Sequence, residues 1–165
     1  LVGGISKHFD WEEEGLRLQL EQILTQNNIC WTITDSPRTP ASTRAFLQSL
    51  SKDRLHYMPY EGQGSGALVE HLQKAATVWV SEDSMSMLYE ALSTGAAVGI
   101  LRVPSKNNSR LAPVAQNLAN KDFLTLFDDW RSGQDLTPPK IVLAEAVRCA
   151  KILIQRCGWN MAKIS

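Results

Sequence analysis

The fold of this chain is decided by one stretch, Val80-Ser-Glu-Asp-Ser-Met-Ser-Met-Leu-Tyr-Glu-Ala-Leu-Ser-Thr-Gly-Ala-Ala-Val-Gly-Ile-Leu101. It completes an apolar, β-branched run that starts at Thr77 and predicts a buried strand. A polar turn follows, and a helix is predicted to run to about Thr94 because Gly95 stands where helices commonly end on glycine. Residues 97–101 then form a second buried strand. The candidate caps of the helix are Ser81, Asp83 and Ser84.

A helix that opens on hydroxyl residues at the carboxyl end of a strand is a candidate anion site, because its free N–H groups and positive dipole end point outward. Ser86 and Glu90 lie four residues apart and therefore share one helix face. Hydroxyls, amides and a carboxylate together suit a ligand with both phosphate and sugar hydroxyls. The strongest candidate group is Glu82, Asp83, Ser84, Ser86 and Glu90. The alternative is a capped helix with Glu90 on its solvated face.

Composition indicates one globular domain of 165 residues with an ordinary apolar content of 44%. Lysine and arginine together number 17, as do aspartate and glutamate. This balance argues against nucleic-acid partners that are held by bulk charge. No apolar run approaches the ~20 residues that span a bilayer. Cys30, Cys149 and Cys157 are an odd count without CxxC spacing, which predicts buried free thiols in a reducing compartment.

Strand and helix patterns alternate at least five times, which predicts a parallel α/β sheet with right-handed crossovers. Residues 1–4 are expected to end a strand in a glycine turn. Further strands are predicted at 29–34 and 55–58, and further helices at 11–26, 39–50, 67–76, 111–119 and 141–158. Residues 123–127 are ambiguous. Ligands in such sheets bind at the carboxyl ends of the strands beside a topological switch point, so the polar turns are expected to gather there.

The first turn, residues 3–8, combines Gly3 and Gly4, which allow close ligand approach, with a hydroxyl, a cation and an imidazole. These polar residues are Ser6, Lys7 and His8. A tight turn with exposed polar side chains is the alternative interpretation.

The second turn, residues 34–40, carries Arg38 just before a helix, and arginine binds phosphate through two parallel hydrogen bonds. The alternative has Ser36 or Thr39 as the helix cap and Arg38 merely solvated. The loop at residues 61–66 contains three glycines but lacks the Gly-Lys-Ser/Thr ending of a phosphate-binding Walker loop. It either shapes itself around a base or sugar or is a flexible linker.

Other site types have little support in the sequence. The three histidines show no metal-binding spacing, and neither the nucleophile elbow of a serine hydrolase nor the dinucleotide fingerprint is present. No metal and no cofactor are expected. The five tryptophans are predicted to pack within the fold, with Trp130 and Trp159 as candidates for the surface.

Three motifs together resemble the carboxyl-terminal half of the mitochondrial-fission "elongated mitochondria" family, which occurs in plants and many bacteria. They are Leu1-Val-Gly-Gly-x-Ser-Lys-His8, Thr34-x-Ser-x-Arg-Thr-Pro40 and Glu82-Asp-Ser-x-Ser-Met-x-x-Glu-Ala91. That family is similar to the GT-B glycosyltransferases, which have two Rossmann-like domains with a cleft between them. The resemblance covers nearly the whole chain. It implies a Rossmann-like three-layer sandwich with a mostly parallel sheet, as one domain over residues 1–165.

The segment from Ser84 to Gly95 resembles the donor-site signature of lipid-A-disaccharide synthase and related enzymes. By that resemblance Ser84 and Ser86 contact phosphate and Glu90 binds the ribose, while Gly3, Gly4 and Ser6 form the turn that faces the cleft. The usual Gly-x-Pro after the helix is Gly95-Ala-Ala here, so the entry into the next strand is expected to differ slightly.

The resemblance implies that the domain binds a nucleotide sugar or nucleoside diphosphate for glycosyl transfer or a related epimerase reaction. Lys7 and Arg38 would then supply the positive charge without a metal. The catalytic base of this class comes from an amino-terminal domain, which we expect to be a partner outside this sequence, so the isolated domain is expected to be inactive. The alternatives are a non-catalytic scaffold or adaptor and a nucleotide-binding regulatory module. A bacterial cytoplasmic location is expected, with a peripheral membrane position as a second option.

Overall fold

Helices and strands alternate along the chain as the sequence pattern predicts. The computed structural model describes residues 1–25, 29–62, 66–107, 109–143 and 145–157. Its helices are α1 Glu13–Ile23, α2 Ala41–Ser49, α3 Ala67–Lys74, α4 Met85–Thr94, α5 Ala112–Ala119 and α6 Glu145–Cys157. Its strands are β1 Trp31–Thr34, β2 Leu55–Met58, β3 Thr77–Ser81, β4 Ala97–Leu101 and β5 Thr125–Leu126.

All the strand pairs are parallel: β1 with β2, and β3 with β4 and then β5. Residues 1–3 lie extended between the two groups. The amino group of Leu1 donates to the Trp79 carbonyl, and the Ser81 N–H donates back to the Leu1 carbonyl, which is the pattern of a parallel pair. On the other side, the Val2 N–H donates to the Thr34 carbonyl. The spatial order is therefore β2, β1, residues 1–3, β3, β4, β5.

Two apolar cores cover the two faces of this sheet. On one face, Val78 and Val80 of β3 pack with side chains of α3, α4 and α5. On the other face, Trp79 packs with side chains of α1 and α2. The β4 strand is buried along its whole length because helices cover it on both sides. The predicted α/β three-layer sandwich with a parallel sheet is confirmed.

Trp79 organises the second core around a glycine. It packs across Gly99 of β4, where a Cβ atom would overlap the indole ring. Its ring meets Phe127 and Trp130 edge-on, with centroid distances of 6.1 and 5.3 Å. Trp130 was a candidate for the surface, but this aromatic cluster buries it. Trp159 lies outside the described residues.

The decisive stretch folds as predicted, and the differences lie at the ends of other elements. Gly95 adopts φ 82° as the residue that ends α4. The last helix starts at Glu145 rather than 141, while Gly158 and loop residues 63–65 lie outside the described part. The three cysteines are free, as predicted, but the prediction that they are buried is wrong, since all are exposed.

Candidate functional site

The topological switch point lies between residues 1–3 and β3, and polar groups meet there at the carboxyl edge of the sheet. The Ser81 hydroxyl accepts a hydrogen bond from the Gly3 N–H at 2.7 Å and donates one to Asp83 at 2.7 Å. The other carboxylate oxygen of Asp83 accepts the Gly4 N–H at 2.9 Å. The first glycine turn and the turn before α4 are therefore bonded to each other, as the predicted convergence requires.

Arg38 joins this network as an internal partner. Its guanidinium forms an ion pair with Asp83 at 3.0 Å and donates to the carbonyls of Gly4 and Ile5 at 3.1 and 3.0 Å. The Asp83 side chain is fully buried, whereas 41% of the Arg38 side chain is exposed. Arg38 is thus neither merely solvated nor an unpaired charge: it holds the glycine turn against α4.

Thr39 also holds the first turn in place through a hydrogen bond. Its hydroxyl donates to the carbonyl of Gly3 and accepts the N–H of Ser36 at 2.9 Å. The α2 helix has no side-chain cap bond, so the alternative in which Ser36 or Thr39 caps that helix is wrong. The Thr39 hydroxyl instead joins the second turn to the first turn through the Gly3 carbonyl.

Both glycines of the first turn are required by close approach of the chain itself. A Cβ on Gly3 would overlap the Asp83 carboxylate, and a Cβ on Gly4 would overlap the backbone of Arg38 and Thr39. At Gly4 the overlapping atoms belong to the backbone, so no side-chain rotation can relieve the clash, and glycine is needed there even without a ligand.

Glu82 forms a second internal ion pair. Its buried carboxylate bonds Arg102 at 3.0 Å and the Val103 N–H at 3.4 Å, and Arg102 also pairs with Asp128. Burial raises the pKa of Glu82 above its ordinary value, and the Arg102 charge opposes that rise. Glu82 therefore lies within the protein's own charge network and is not an open ligand group.

The start of α4 differs from this closed network because several of its polar groups have no partner among the described residues, although Ser84 itself is buried. Ser84 occupies the N-cap position without a side-chain cap bond, so the prediction of a capped helix is wrong. The first helical bond is from the Leu88 N–H to the Ser84 carbonyl. The N–H groups of Met85, Ser86 and Met87 have no hydrogen-bond acceptor within the described ranges, as is typical of an uncapped helix start.

Ser86 and Glu90 are exposed one turn apart on α4. Within the described part of the chain, neither side chain forms a hydrogen bond or an ion pair. Free amides, a hydroxyl and a carboxylate thus follow one another along the first turn and a half of this helix, where the helix dipole favours negative charge.

Of the remaining polar residues of the first turn, Ser6 forms hydrogen bonds within the protein and Lys7 does not pair with a described charged residue. The Ser6 hydroxyl accepts the N–H groups of His8 and Phe9, and Lys106 donates to the Ser6 carbonyl at 3.0 Å. Lys7 is exposed and contacts no charged partner among the residues with described positions.

A further polar cluster, which the sequence analysis did not identify, lies where β1 and β2 end. The buried Asp35 carboxylate accepts the Tyr57 hydroxyl at 3.1 Å and pairs with Arg44 at 2.8 Å. Burial and the Asp35 charge raise the pKa of Tyr57 to about 12. The group borders a cavity of about 550 Å³. Only the position of Asp35 directly after a strand could have indicated it.

Two negative findings apply to the residues whose structure is described. They contain no cluster of three or more side chains able to hold a metal ion. Their helices are too short or too polar to cross a membrane.

Comparison with known proteins identifies a family. A family model described as "Mitochondrial fission ELM1" matches residues 1–157. No curated protein and no solved structure matches the chain.

Proposed function

We propose that this chain, which belongs to the mitochondrial fission ELM1 family, binds the diphosphate and ribose of a nucleotide sugar at the start of α4. The observation that carries the proposal is the uncapped helix start beside the switch point, where three N–H groups lack an acceptor among the described residues. An anionic group is the natural partner of such amides. The diphosphate is placed at Ser84, Ser86 and the free N–H groups.

The ribose is assigned to Glu90. Its carboxylate is exposed one turn after Ser86 and has no partner in the described ranges, so it remains available to accept two hydroxyl hydrogen bonds. In this proposal the Arg38–Asp83 pair and both glycines act as positioning residues: they hold the first turn beside α4. Lys7, exposed in that turn, is the cation proposed to meet the phosphates.

Glycosyl transfer requires more than this site, because no catalytic base is assigned within the chain. We propose that an amino-terminal domain supplies the base and the acceptor site. In this chain, the amides and hydroxyls at the start of α4 would stabilise the leaving diphosphate. On this proposal the 165-residue chain binds the donor but does not turn it over.

A non-catalytic adaptor is the second candidate function, and one observation favours it. The charged residues at the switch point, Arg38, Asp83 and Glu82, are all paired with protein groups, so that edge is stable without a ligand. A fold kept as a scaffold needs no more than this.

Calorimetric titration with uridine, guanosine, cytidine and thymidine diphosphates separates the two functions. Donor binding predicts that at least one of them binds and that Glu90→Ala weakens it by ~1.5–3 kcal/mol, the range for hydrogen bonds to a charged group, or about 10- to 100-fold. Glu90→Gln should cost less, since its amide oxygen still accepts one bond.

The matched control is Glu21→Ala, which removes an exposed carboxylate from α1, a helix on the other face of the sheet. It should leave affinity unchanged. Equal affinity of the wild type and both Glu90 variants would remove Glu90 from the site. Absence of binding by every diphosphate would favour the adaptor.

A further inference from the structure

The cavity of about 550 Å³ beside Asp35 is separate from the start of α4. Its wall includes Arg44 and Gln48, which lie four residues apart and therefore share one face of α2. The α2 helix packs on the core around Trp79, whereas α4 packs on the core of the opposite face of the sheet. We call this cavity the α2 pocket. It has the volume of a small-molecule site, and its wall residues are not those of the proposed nucleotide site.

The guanidinium of Arg44 is held on two of its three sides. Its Nε lies 2.8 Å from the carboxylate of Asp35, whose side chain is 1% exposed, in an ion pair without an aligned hydrogen bond. Its Nη2 donates to the Ser36 carbonyl at 3.1 Å. Asp35 is itself held by the Tyr57 hydroxyl and the Tyr60 N–H. The orientation of the guanidinium is therefore fixed before any ligand arrives.

The third side of Arg44 faces Glu61, and this contact is weak. Nη1 donates to the Glu61 carboxylate at 2.9 Å, but the Glu61 side chain is 74% exposed. An ion pair with so exposed a partner contributes little to stability. The contact shows that a carboxylate fits against Nη1, and a carboxylate from outside can replace Glu61 at small cost.

Two further side chains of the wall can donate hydrogen bonds to a ligand in the α2 pocket. The Gln48 amide forms no hydrogen bond with any residue whose structure is described. The Ser51 hydroxyl accepts the Tyr57 N–H at 3.2 Å, and its own hydrogen remains available to donate. Tyr57 and Pro59 add an apolar surface. The pocket therefore combines an oriented cation, an amide and a hydroxyl with a place for an apolar group.

We propose that the α2 pocket binds a small organic monocarboxylate, which takes the place of Glu61 at Nη1 of Arg44. Gln48 and Ser51 donate to the same carboxylate group, and the apolar body of the ligand lies against Tyr57 and Pro59. A single negative charge suits the pocket better than a phosphate dianion, because the Asp35 carboxylate on the other side of the guanidinium repels each added charge. Glu61 is the chain's own competitor for this position.

The test is an NMR titration of the 165-residue chain, followed at the Gln48 side-chain amide and the Arg44 Nε–H. The probes are benzoate, acetate, benzyl alcohol and phenyl phosphate, at pH 8, where phenyl phosphate is a dianion. Benzoate should shift both signals saturably and bind more tightly than acetate, which lacks the apolar ring. Benzyl alcohol, which has the ring without the charge, should give no saturable shift.

Two variants of exposed residues test the assigned contacts without disturbing the core. Glu61→Gln should tighten benzoate binding about two- to fivefold, because it removes the competitor. Gln48→Ala should weaken it about tenfold or more, because it removes a hydrogen bond to a charged group. The matched control is Glu70→Gln, which removes an exposed carboxylate from α3 on the opposite face of the sheet and should leave the affinity unchanged.

Equal benzoate affinity in the wild type, Glu61→Gln and Gln48→Ala would overturn the proposal, as would the absence of a saturable shift in the Glu61→Gln chain. Saturable binding of benzyl alcohol would overturn it as well, because the ring alone would then suffice. Phenyl phosphate binding as tightly as benzoate would overturn the assignment of a monocarboxylate.

Discussion

The amino group of Leu1 gives a prediction whose size follows from the structure. Burial lowers its pKa from 8.0 to about 5, because the charged form loses its hydration between the strands. The change of about three pKa units corresponds to ~4 kcal/mol at 1.36 kcal/mol per unit. Between pH 5 and 8 the unfolded chain binds this proton more than the folded chain does, so the free energy of unfolding should rise with pH across that window.

The assay compares the chain with its amino-terminally acetylated form in urea unfolding at pH 5, 6.5 and 8. Acetylation removes this titration and leaves every carboxylate and histidine in place, so the difference between the two forms isolates Leu1. The difference should be largest at pH 5 and fall by ~3 kcal/mol between pH 5 and pH 8, because each end of this window is the pKa of one state and the titration is only half complete there. A difference that does not change with pH would refute the reasoning, since it would mean that the amino group is as hydrated in the folded chain as in the unfolded one.

Three further variants test the switch point by urea unfolding. Gly4→Ala should destabilise by ~2–3 kcal/mol through overlap with the Arg38 backbone, whereas Gly15→Ala within α1 should stabilise by ~0.5–1 kcal/mol; equal effects would contradict the packing argument. Asp83→Asn should lower the free energy of unfolding by ~1–3 kcal/mol, and by much less in a chain that already lacks the Arg38 side chain. Additive losses in the double variant would mean that the two side chains do not interact. Because the pKa of Glu82 is raised in the folded chain, the free energy of unfolding should fall as the pH rises above 4.5. Glu82→Gln should abolish that fall.

The fold could be predicted from the sequence because its local signals agree. The run from Thr77 to Gly95 combines a β-branched strand, a polar turn, an apolar helix face and a terminal glycine, and each of these acts over a few residues. Element ends were less predictable. The last helix begins at Glu145 although the apolar periodicity starts at 141, because periodicity marks a face and does not define where hydrogen bonding begins.

The residues of the candidate site were proposed from the sequence, but the sequence could not indicate how they pair with one another. Arg38 and Asp83 are 45 positions apart in the sequence, and their ion pair depends on residues 1–3 entering the sheet between β1 and β3. No local pattern encodes that neighbourhood. The same holds for Trp130, which lies in an irregular segment but is buried because Trp79 offers it a ring edge.

NMR titration of the chain with the same nucleoside diphosphates tests the central claim most directly. Binding at the start of α4 predicts that the amide signals of Met85, Ser86 and Met87 shift with the diphosphate but not with the matching nucleoside, because the phosphates are the partners of these N–H groups. The Ser93 amide, at the other end of the same helix, should stay nearly unchanged. Shifts confined to the Asp35 and Tyr57 cavity, or no shifts with any diphosphate, would contradict the account.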